Sequence, residues 1–251
     1  MKRQYSFSGL VLIILVVFLG LLINGTDIAI AAPNTSTIYE QHTIHSPDGI
    51  GKYYMGREIA KVMGHTGAGW LERPSRETEE QPSKIISVLN LKPSDVVADI
   101  GAGTGYMSFR IAPLLTQGKV LAVDVQLEML DIIEFLKKEN NITNVEPVLA
   151  TLTNPNLTPA SVDLALMVDA YHEFDHPREV MQELVKALKP GGKVVLVEYR
   201  GENPFIMIKR LHKMTQKQVR QEMQAVGLVW RETKNLLPQQ HLMVFEKQAE
   251  D

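Results

Sequence analysis

The sequence predicts an α/β domain built on a doubly wound, mostly parallel seven-stranded sheet, with a C-terminal antiparallel hairpin and a helical N-terminal extension. Three observations lead to this prediction. β-Branched apolar runs alternate with amphipathic segments over residues 82–247, which is the pattern of successive β–α–β units. A glycine-rich turn directly follows the first of these runs. The last two runs, residues 228–236 and 241–247, are separated only by a short turn at Pro238, as in a hairpin.

The glycine-rich turn is the most informative motif of the chain. The first run, residues 96–100, contains Asp99, and the alternating glycines Gly101, Gly103 and Gly105 follow it. In an α/β sheet such a turn brings backbone close to a small ligand at the carboxyl end of the first strand. A Cβ atom there would block both the turn and the ligand. A dinucleotide fingerprint would place its third glycine at position 106, where this chain has Tyr106.

A second acidic residue marks the end of the next predicted strand. Residues 119–124 form an apolar run that ends in Asp124. A carboxylate in this position can accept hydrogen bonds from both ribose hydroxyls of a nucleoside. The two carboxylates and the glycines between them therefore indicate a nucleoside-containing ligand.

These residues resemble a known family. Asp99-x-Gly101-x-Gly103-x-Gly105, with Asp124 after it, is similar to the first motifs of the class I S-adenosylmethionine (SAM)-dependent methyltransferases. Residues 188–198 resemble the block that leads into the fifth strand of that family, and residues 168–174 occupy its slot after the fourth strand. The resemblance covers about residues 82–247.

The resemblance implies a Rossmann-like fold, SAM as cofactor and methyl transfer to a small-molecule acceptor. Asp99 would fix the turn and the amino-acid end of SAM, Asp124 would bind the ribose, and Asp169 would hold the methionine amine. Where many members have an acidic residue after the third strand, this chain has Ala150-Thr151-Leu152, so backbone or Thr151 would contact the adenine. The full set of implied cofactor-binding residues is Asp99, Gly101, Ala102, Gly103, Gly105, Asp124, Val125, Thr151 and Asp169.

Another motif points to a different chemistry. Residues 172–176 match H-E-x-x-H, in which two histidines one helical turn apart bind zinc and the glutamate activates a metal-bound water. Pro177 follows at once and disfavours helical angles at the residue before it, so the segment is predicted to be a loop. In a methyltransferase this loop lies beside the transferred methyl group. Tyr171, His172 and Glu173 are then candidates to bind substrate or to take a proton from the acceptor.

Two alternative functions follow from these observations. A zinc-dependent hydrolase would use His172 and His176 as metal ligands. A non-catalytic SAM-binding module would have kept the fold and the cofactor site without turnover.

The N-terminal segment has the pattern of a secretory signal peptide. Lys2 and Arg3 precede an apolar run over residues 10–23, and small residues follow up to a predicted cleavage site after Ala31. An uncleaved membrane anchor is the alternative. Either reading places the rest of the chain on the non-cytoplasmic side, exported or anchored, with membrane contact only through an uncleaved segment.

Residues 32–81 are predicted to form an N-terminal arm ahead of a methyltransferase domain at residues 82–251. The arm begins with a polar stretch at residues 33–47 and continues into a short amphipathic helix at residues 51–63. Residues 64–80 are rich in glycine and then in charge. They are either a solvated connection or a lid that turns Trp70 and an arginine toward substrate.

Composition narrows the classes of protein to which the chain can belong. The chain has 251 residues, of which 45% are hydrophobic, enough for one domain with a full core and an extension. Its net charge is −3 and no basic run exceeds two residues, so nucleic acid is not the expected partner. It has no cysteine, which excludes disulfides, a thiol nucleophile and cysteine-bound zinc.

Overall fold

A computed structural model of the protein describes residues 38–248. Its N-terminal part is a small antiparallel sheet of three strands in sequence order. These strands are β1 (Tyr39–Gln41), β2 (Gly49–Tyr54) and β3 (Arg57–Ala60). The signal peptide or anchor predicted for residues 1–31 lies outside the described residues.

The amphipathic helix predicted at residues 51–63 is wrong, because β2 and β3 form a hairpin there. Tyr54 pairs with Arg57, and the two residues between them, Met55 and Gly56, have φ values of 49° and 88°. Two consecutive positive φ values are the geometry of a two-residue type I′ turn, whose twist matches that of the strands. The apolar spacing of Tyr54, Ile59 and Val62 therefore reflects a hairpin and the segment after it.

Short helical segments connect this small sheet to the main domain. They are a 3₁₀ turn at His65–Gly67, α1 (Ala68–Leu71), α2 (Arg76–Glu79) and α3 (Pro82–Ser87). Pro82 is the first residue of α3, a position where the missing N–H of proline costs nothing. The N-terminal extension thus contains strands as well as the predicted helical residues.

The main sheet has seven strands, as predicted. They are β4 (Val96–Ile100), β5 (Lys119–Asp124), β6 (Val145–Leu149), β7 (Val162–Val168), β8 (Leu188–Tyr199), β9 (Leu228–Lys234) and β10 (Gln240–Lys247). Their order is β6-β5-β4-β7-β8-β10-β9. All neighbouring pairs from β6 to β8 are parallel, whereas β10 runs antiparallel to both β8 and β9. The predicted parallel sheet and its C-terminal hairpin are confirmed.

Helices cover both faces of this sheet. On one face, α3 packs with α4 (Tyr106–Ile111) and α5 (Leu127–Glu139). On the other face lie α6 (Pro177–Ala187) and α7 (Gln216–Gln224). Successive residues of the central strands alternate between the two cores, as the pleat requires: Val97 and Leu164 belong to the first, Ala98 and Ala165 to the second.

The order of the strands positions the functional site. From β4 the chain moves to β5 and β6 on one side, and then returns to β7 on the other side. Ligands of open α/β sheets bind outside the carboxyl ends of the strands at such a reversal. None of the helices between residues 38 and 248 has the length and apolar character needed to cross a membrane.

Candidate functional site

A cavity of about 730 Å³ opens at the carboxyl ends of β4, β5 and β7. Its size lies within the range of roughly 300–1,000 Å³ that is usual for small-molecule sites. The walls come from the glycine turn, from the strand ends and from the N-terminal arm. The lining residues include Gly101, Gly103, Asp124, Val125, Thr151, Leu152, Asp169, His172, Glu173 and His212, with Met63, Trp70, Leu71, Arg73, Arg76, Glu80 and Tyr199.

The glycine turn forms the floor of the cavity. Gly101 and Gly103 have φ values of 74° and 56°, which L side chains rarely adopt. A Cβ atom at Gly103 would lie 2.5 Å from the Cδ1 atom of Leu71, and one at Gly101 would lie 2.7 Å from the Cβ atom of Ala170. The other two predicted residues of the turn, Ala102 and Gly105, are buried and do not line the cavity, and Gly105 is the N-cap of α4.

Asp124, the residue predicted to bind the ribose, ends β5 and lines the cavity. Its Oδ2 atom accepts a hydrogen bond of 2.9 Å from the Gly103 N–H, and its Oδ1 atom accepts one of 2.9 Å from the Gln126 N–H. Burial raises the pKa of Asp124, while these N–H groups oppose the shift. The carboxylate is thus fixed at the floor of the cavity, and each oxygen keeps a lone pair for a ligand hydroxyl.

Asp99 was predicted to contact the amino-acid end of the cofactor, but the structure places it elsewhere. It does not line the cavity, and its Oδ2 atom accepts a hydrogen bond of 2.6 Å from the Ser108 hydroxyl in α4. Burial raises the pKa of Asp99 to about 6. The contact joins β4 to α4 and so fixes the glycine turn between them.

Asp169 follows β7 with a left-handed backbone, φ 50°. Gln240 donates a hydrogen bond of 2.5 Å to its Oδ2 atom. Its Oδ1 atom is buried without any hydrogen-bond partner in the described part of the chain. Burial, followed by the charges of Glu80 and Glu198, raises the pKa of this carboxyl well above its usual value. A buried acceptor without a donor, on the wall of a cavity, fits a ligand ammonium group.

A charged cluster from the arm lies next to Asp169. Arg76 donates to the Oε2 atom of Glu80 at 2.9 Å, Arg73 donates to its Oε1 atom, and the Tyr199 hydroxyl donates to Oε1 at 2.7 Å. Burial opposes ionisation of Glu80, but the charge of Arg76 and the hydrogen bonds from Arg73, Tyr199 and Arg76 together outweigh it and lower the pKa. Arg76 and Glu80 have the i, i+4 spacing that places opposite charges side by side on a helix.

The arm is tied to the strand ends by polar contacts. The side-chain amide of Gln126 donates to the Met63 carbonyl at 3.0 Å and accepts from the His65 N–H at 2.8 Å. The Thr104 hydroxyl, in the glycine turn, donates to Glu72 at 2.5 Å. Residues 62–80 therefore form part of the cavity wall, and the lid hypothesis for residues 64–80 stays a prediction.

The opposite end of the cavity is apolar. The apolar residues Val125 and Leu152 line the cavity there, and 42% and 55% of their surfaces are exposed. The Thr151 hydroxyl accepts hydrogen bonds from the Thr153 and Asn154 N–H groups of its own loop. This end can sandwich a flat, apolar ring system, with polar contacts from backbone.

The predicted catalytic residues separate into two groups. Tyr171 is buried away from the cavity, and its hydroxyl donates to Glu222 at 2.7 Å. His172 and Glu173 line the cavity together with His212. Tyr171 therefore supports the core, whereas His172 and Glu173 can contact a substrate.

His172 is held by a residue that the sequence analysis did not select. Its Nδ1 atom lies 2.7 Å from the Oε2 atom of Glu198, near the end of β8, and its Nε2 atom lies 3.1 Å from the Nδ1 atom of His212. Burial lowers the pKa of His172 to about 3 and raises the pKa of Glu198 to about 8. The pair is thus neutral as a whole near neutral pH.

The H-E-x-x-H segment is not a zinc helix. Tyr171–Glu173 is a 3₁₀ turn, and α6 begins only at Pro177, as the loop prediction required. His176 precedes α6 and lies against Asp175 and Tyr39. The two histidines of the motif therefore do not form the one-turn pair that a zinc hydrolase needs.

Comparisons with known proteins agree with this geometry. Residues 97–192 match a family described as a methyltransferase domain. An uncharacterised methyltransferase-like protein of Schizosaccharomyces pombe is 32% identical over 121 residues, 48% of this chain and 44% of the relative. A malonyl-[acyl-carrier protein] O-methyltransferase of a Marinomonas species is 30% identical over 112 residues, 45% and 41% of the two chains. The chain spans about half the length, or less, of such curated relatives.

A solved structure shows the same fold. The crystal structure of a SAM-dependent methyltransferase from Aquifex aeolicus superimposes with a TM-score of 0.69 at 21% identity, over 74% of this chain and 99% of that one. The cavity fits SAM, with an unpaired acceptor at Asp169, a fixed carboxylate at Asp124 and a glycine floor. The domain match and this fold support S-adenosyl-L-methionine as the cofactor. Residues 97–192 are therefore similar to a methyltransferase domain, and the sheet that carries them has the fold of the Aquifex aeolicus structure.

Proposed function

We propose that the protein transfers the methyl group of SAM to a small-molecule acceptor bound in the same cavity. SAM supplies an electrophilic methyl group on a sulfonium. The acceptor atom forms the new bond to the methyl carbon, the carbon–sulfur bond breaks, and its electron pair stays on sulfur. The acceptor's proton passes to solvent through the polar end of the cavity.

The proposal assigns a role to each end of the cavity. Asp124 binds the ribose hydroxyls, and Asp169 binds the methionine ammonium through its unpaired Oδ1 atom. Arg76, beside Asp169 in the charged cluster, faces the methionine carboxylate. Val125 and Leu152 hold the adenine. The acceptor then binds at the end lined by His172 and Glu173.

The buried, unpaired Oδ1 atom of Asp169 is the observation that carries the proposal. Burying a carboxylate oxygen without a donor is costly, so such atoms in folded proteins call for a partner. Within one cavity, an ammonium site at Asp169 and a diol site at Asp124 match the methionine ammonium and the ribose hydroxyls of SAM.

Calorimetric titration of the full chain with SAM and with its demethylated product, S-adenosylhomocysteine, tests the proposal. We expect micromolar binding of both ligands, and at least about a tenfold loss of affinity in Asp124→Ala, because each ribose hydroxyl bond to a charged acceptor contributes roughly 1.5–3 kcal/mol. Asp131→Ala is the matched control, since Asp131 is an exposed aspartate of α5 outside the cavity.

An unchanged dissociation constant in Asp124→Ala would refute the ribose assignment. Binding of both ligands without turnover of any acceptor would favour the non-catalytic module instead.

A further inference from the structure

Three side chains at the acceptor end of the cavity turn one donor atom each toward a common point. The Nε2 atom of His172 lies 3.1 Å from the Nδ1 atom of His212 and 3.8 Å from the Oε1 atom of Glu173. The Nδ1 atom of His212 lies 3.4 Å from the same Oε1 atom. We propose that His172, Glu173 and His212 form a binding site for a divalent transition-metal ion such as Zn²⁺.

The spacing of the donors fits one ion. Imidazole nitrogens and carboxylate oxygens bind zinc at about 2.0–2.2 Å. Two such donors on one ion are then separated by roughly 3.0–3.6 Å for tetrahedral or octahedral angles. Two of the three observed distances lie in this range, and the third exceeds it by a fraction of an ångström that a side-chain rotation can close.

Two of the three ligands, His172 and Glu173, are oriented by a second contact. Glu198, fully buried, engages the Nδ1 atom of His172, which leaves Nε2 for the ion. The Met63 N–H donates to the Oε2 atom of Glu173 at 3.1 Å, which leaves Oε1 for the ion. Arg57 donates to the His172 carbonyl at 3.1 Å and fixes the 3₁₀ turn. Carboxylate partners behind metal-binding histidines are typical of metal sites.

Hydrogen bonds among these three side chains do not pair all of their polar atoms. The contact between the two imidazoles uses one N–H group at most. Among the described residues, the Oε1 atom of Glu173 has no hydrogen-bond donor and instead faces both ring nitrogens. A cation between the three atoms satisfies all of them at once.

The ligand set also indicates the kind of ion. Two imidazoles and one carboxylate are a common set for zinc and for ferrous iron, with remaining positions open to water or substrate. Methyl transfer involves no change of oxidation state, so a redox-inactive ion is sufficient. The set differs from the H-E-x-x-H motif, because His212 takes the place of His176.

The metal site also indicates the class of acceptor, and this consequence rests on the proposed function. An ion at this point lowers the pKa of a bound hydroxyl or thiol. The acceptor would then lose its proton to water and attack the methyl carbon as an oxyanion or thiolate. The surrounding wall includes Ile50, Phe174 and Ile208, so the acceptor is a partly apolar small molecule with one such ionisable group.

Metal titration of the full chain tests the site. The chain is first stripped with a chelator and then titrated calorimetrically with Zn²⁺, and Co²⁺ absorption spectra report the coordination. We expect one Zn²⁺ per chain. Loss of a residue that only orients a ligand lowers metal affinity roughly tenfold to hundredfold, and Glu198→Gln should lower the Zn²⁺ affinity within that range. His212→Ala removes a ligand itself and should lower the Zn²⁺ affinity by more.

His176→Ala is the matched control, because His176 belongs to the sequence motif and lies outside the proposed set. Its Zn²⁺ affinity should equal that of the unmodified chain. His212 is partly exposed, so its variant should fold, and circular dichroism verifies this. An unmodified chain without Zn²⁺ affinity, or an equal loss in both histidine variants, would overturn the proposal.

A SAM titration of the same unmodified preparation separates this inference from the proposed function. SAM binding without Zn²⁺ binding would refute the metal site alone. Zn²⁺ binding without SAM binding would refute the proposed function and leave the metal site standing.

Discussion

Asp169 combines a strained backbone with an unusual side chain. A non-glycine residue at φ 50° is uncommon, and such residues concentrate at binding and active sites. The strain positions a carboxyl whose Oδ1 atom has no donor within residues 38–248. In the proposed complex, the methionine ammonium supplies that donor.

The raised pKa of Asp169 makes SAM binding depend on pH. Without ligand, burial favours the protonated carboxyl, whereas the ammonium favours the ionised one. Binding therefore releases a proton, and affinity should rise with pH below the pKa of the ammonium, roughly 8. Calorimetry in two buffers of different ionisation enthalpy measures this proton.

Asp169→Asn is the comparison for this experiment. It keeps the shape of the side chain and cannot release a proton, so its affinity should be weaker and should vary less with pH. Equal pH profiles for the unmodified chain and for Asp169→Asn would show that Asp169 does not meet the ammonium.

Sequence reasoning identified those site residues that lie within local motifs. Gly101, Gly103 and Asp124 directly follow recognisable strands, so their place at the sheet edge could be predicted. His212 and Glu198 meet His172 across 40 and 26 positions of the chain, and nothing near them in sequence indicates that contact. The motif assigned Asp99 to the cofactor, whereas in the structure its carboxylate accepts a hydrogen bond from Ser108 and joins β4 to α4.

Among the elements, the β2–β3 hairpin holds the acceptor end of the cavity in place. Arg57 of β3 forms a bidentate ion pair with Glu222 of α7, with distances of 2.6 and 3.1 Å, and the Tyr171 hydroxyl donates to the same carboxylate. Glu222 is fully buried. The hairpin, α7 and the 3₁₀ turn that contains His172 are therefore connected through one buried charge.

Arg57→Ala should destabilise the protein strongly. It leaves the Glu222 carboxylate buried without its cation, and breaking a buried pair in this way costs about 3–5 kcal/mol. Urea unfolding measures the loss. Lys119→Ala is the control, because the Lys119–Glu146 pair is exposed and such pairs contribute about 1 kcal/mol or less. Equal losses in the two variants would contradict the role of Arg57.

The same hairpin shows where element prediction failed. The spacing of Tyr54, Ile59 and Val62 satisfies a helical repeat, and only the turn at Met55 and Gly56 distinguishes a hairpin from a helix. The strands of the main sheet were predictable because parallel strands are apolar on both faces and read as continuous runs. The sequences of β2 and β3 contain charged residues beside the apolar ones, so they show no such run.

On the scale of the whole molecule, the N-terminal arm covers one edge of a common α/β sheet. The order of strands brings the glycine turn, Asp124 and Asp169 to one edge, and the arm closes that edge with Leu71 above Gly103. The fold itself is shared by proteins of different activity, so the activity depends on the residues in this cavity. Their arrangement around a bound ligand is the central claim.

A crystal structure of the full chain with S-adenosylhomocysteine tests this claim most directly. We expect the ribose hydroxyls on the Asp124 carboxylate, the ammonium within hydrogen-bond distance of the Asp169 Oδ1 atom, and the adenine between Val125 and Leu152. A ligand whose amino-acid end meets Asp99, or a ligand bound outside this cavity, would contradict it.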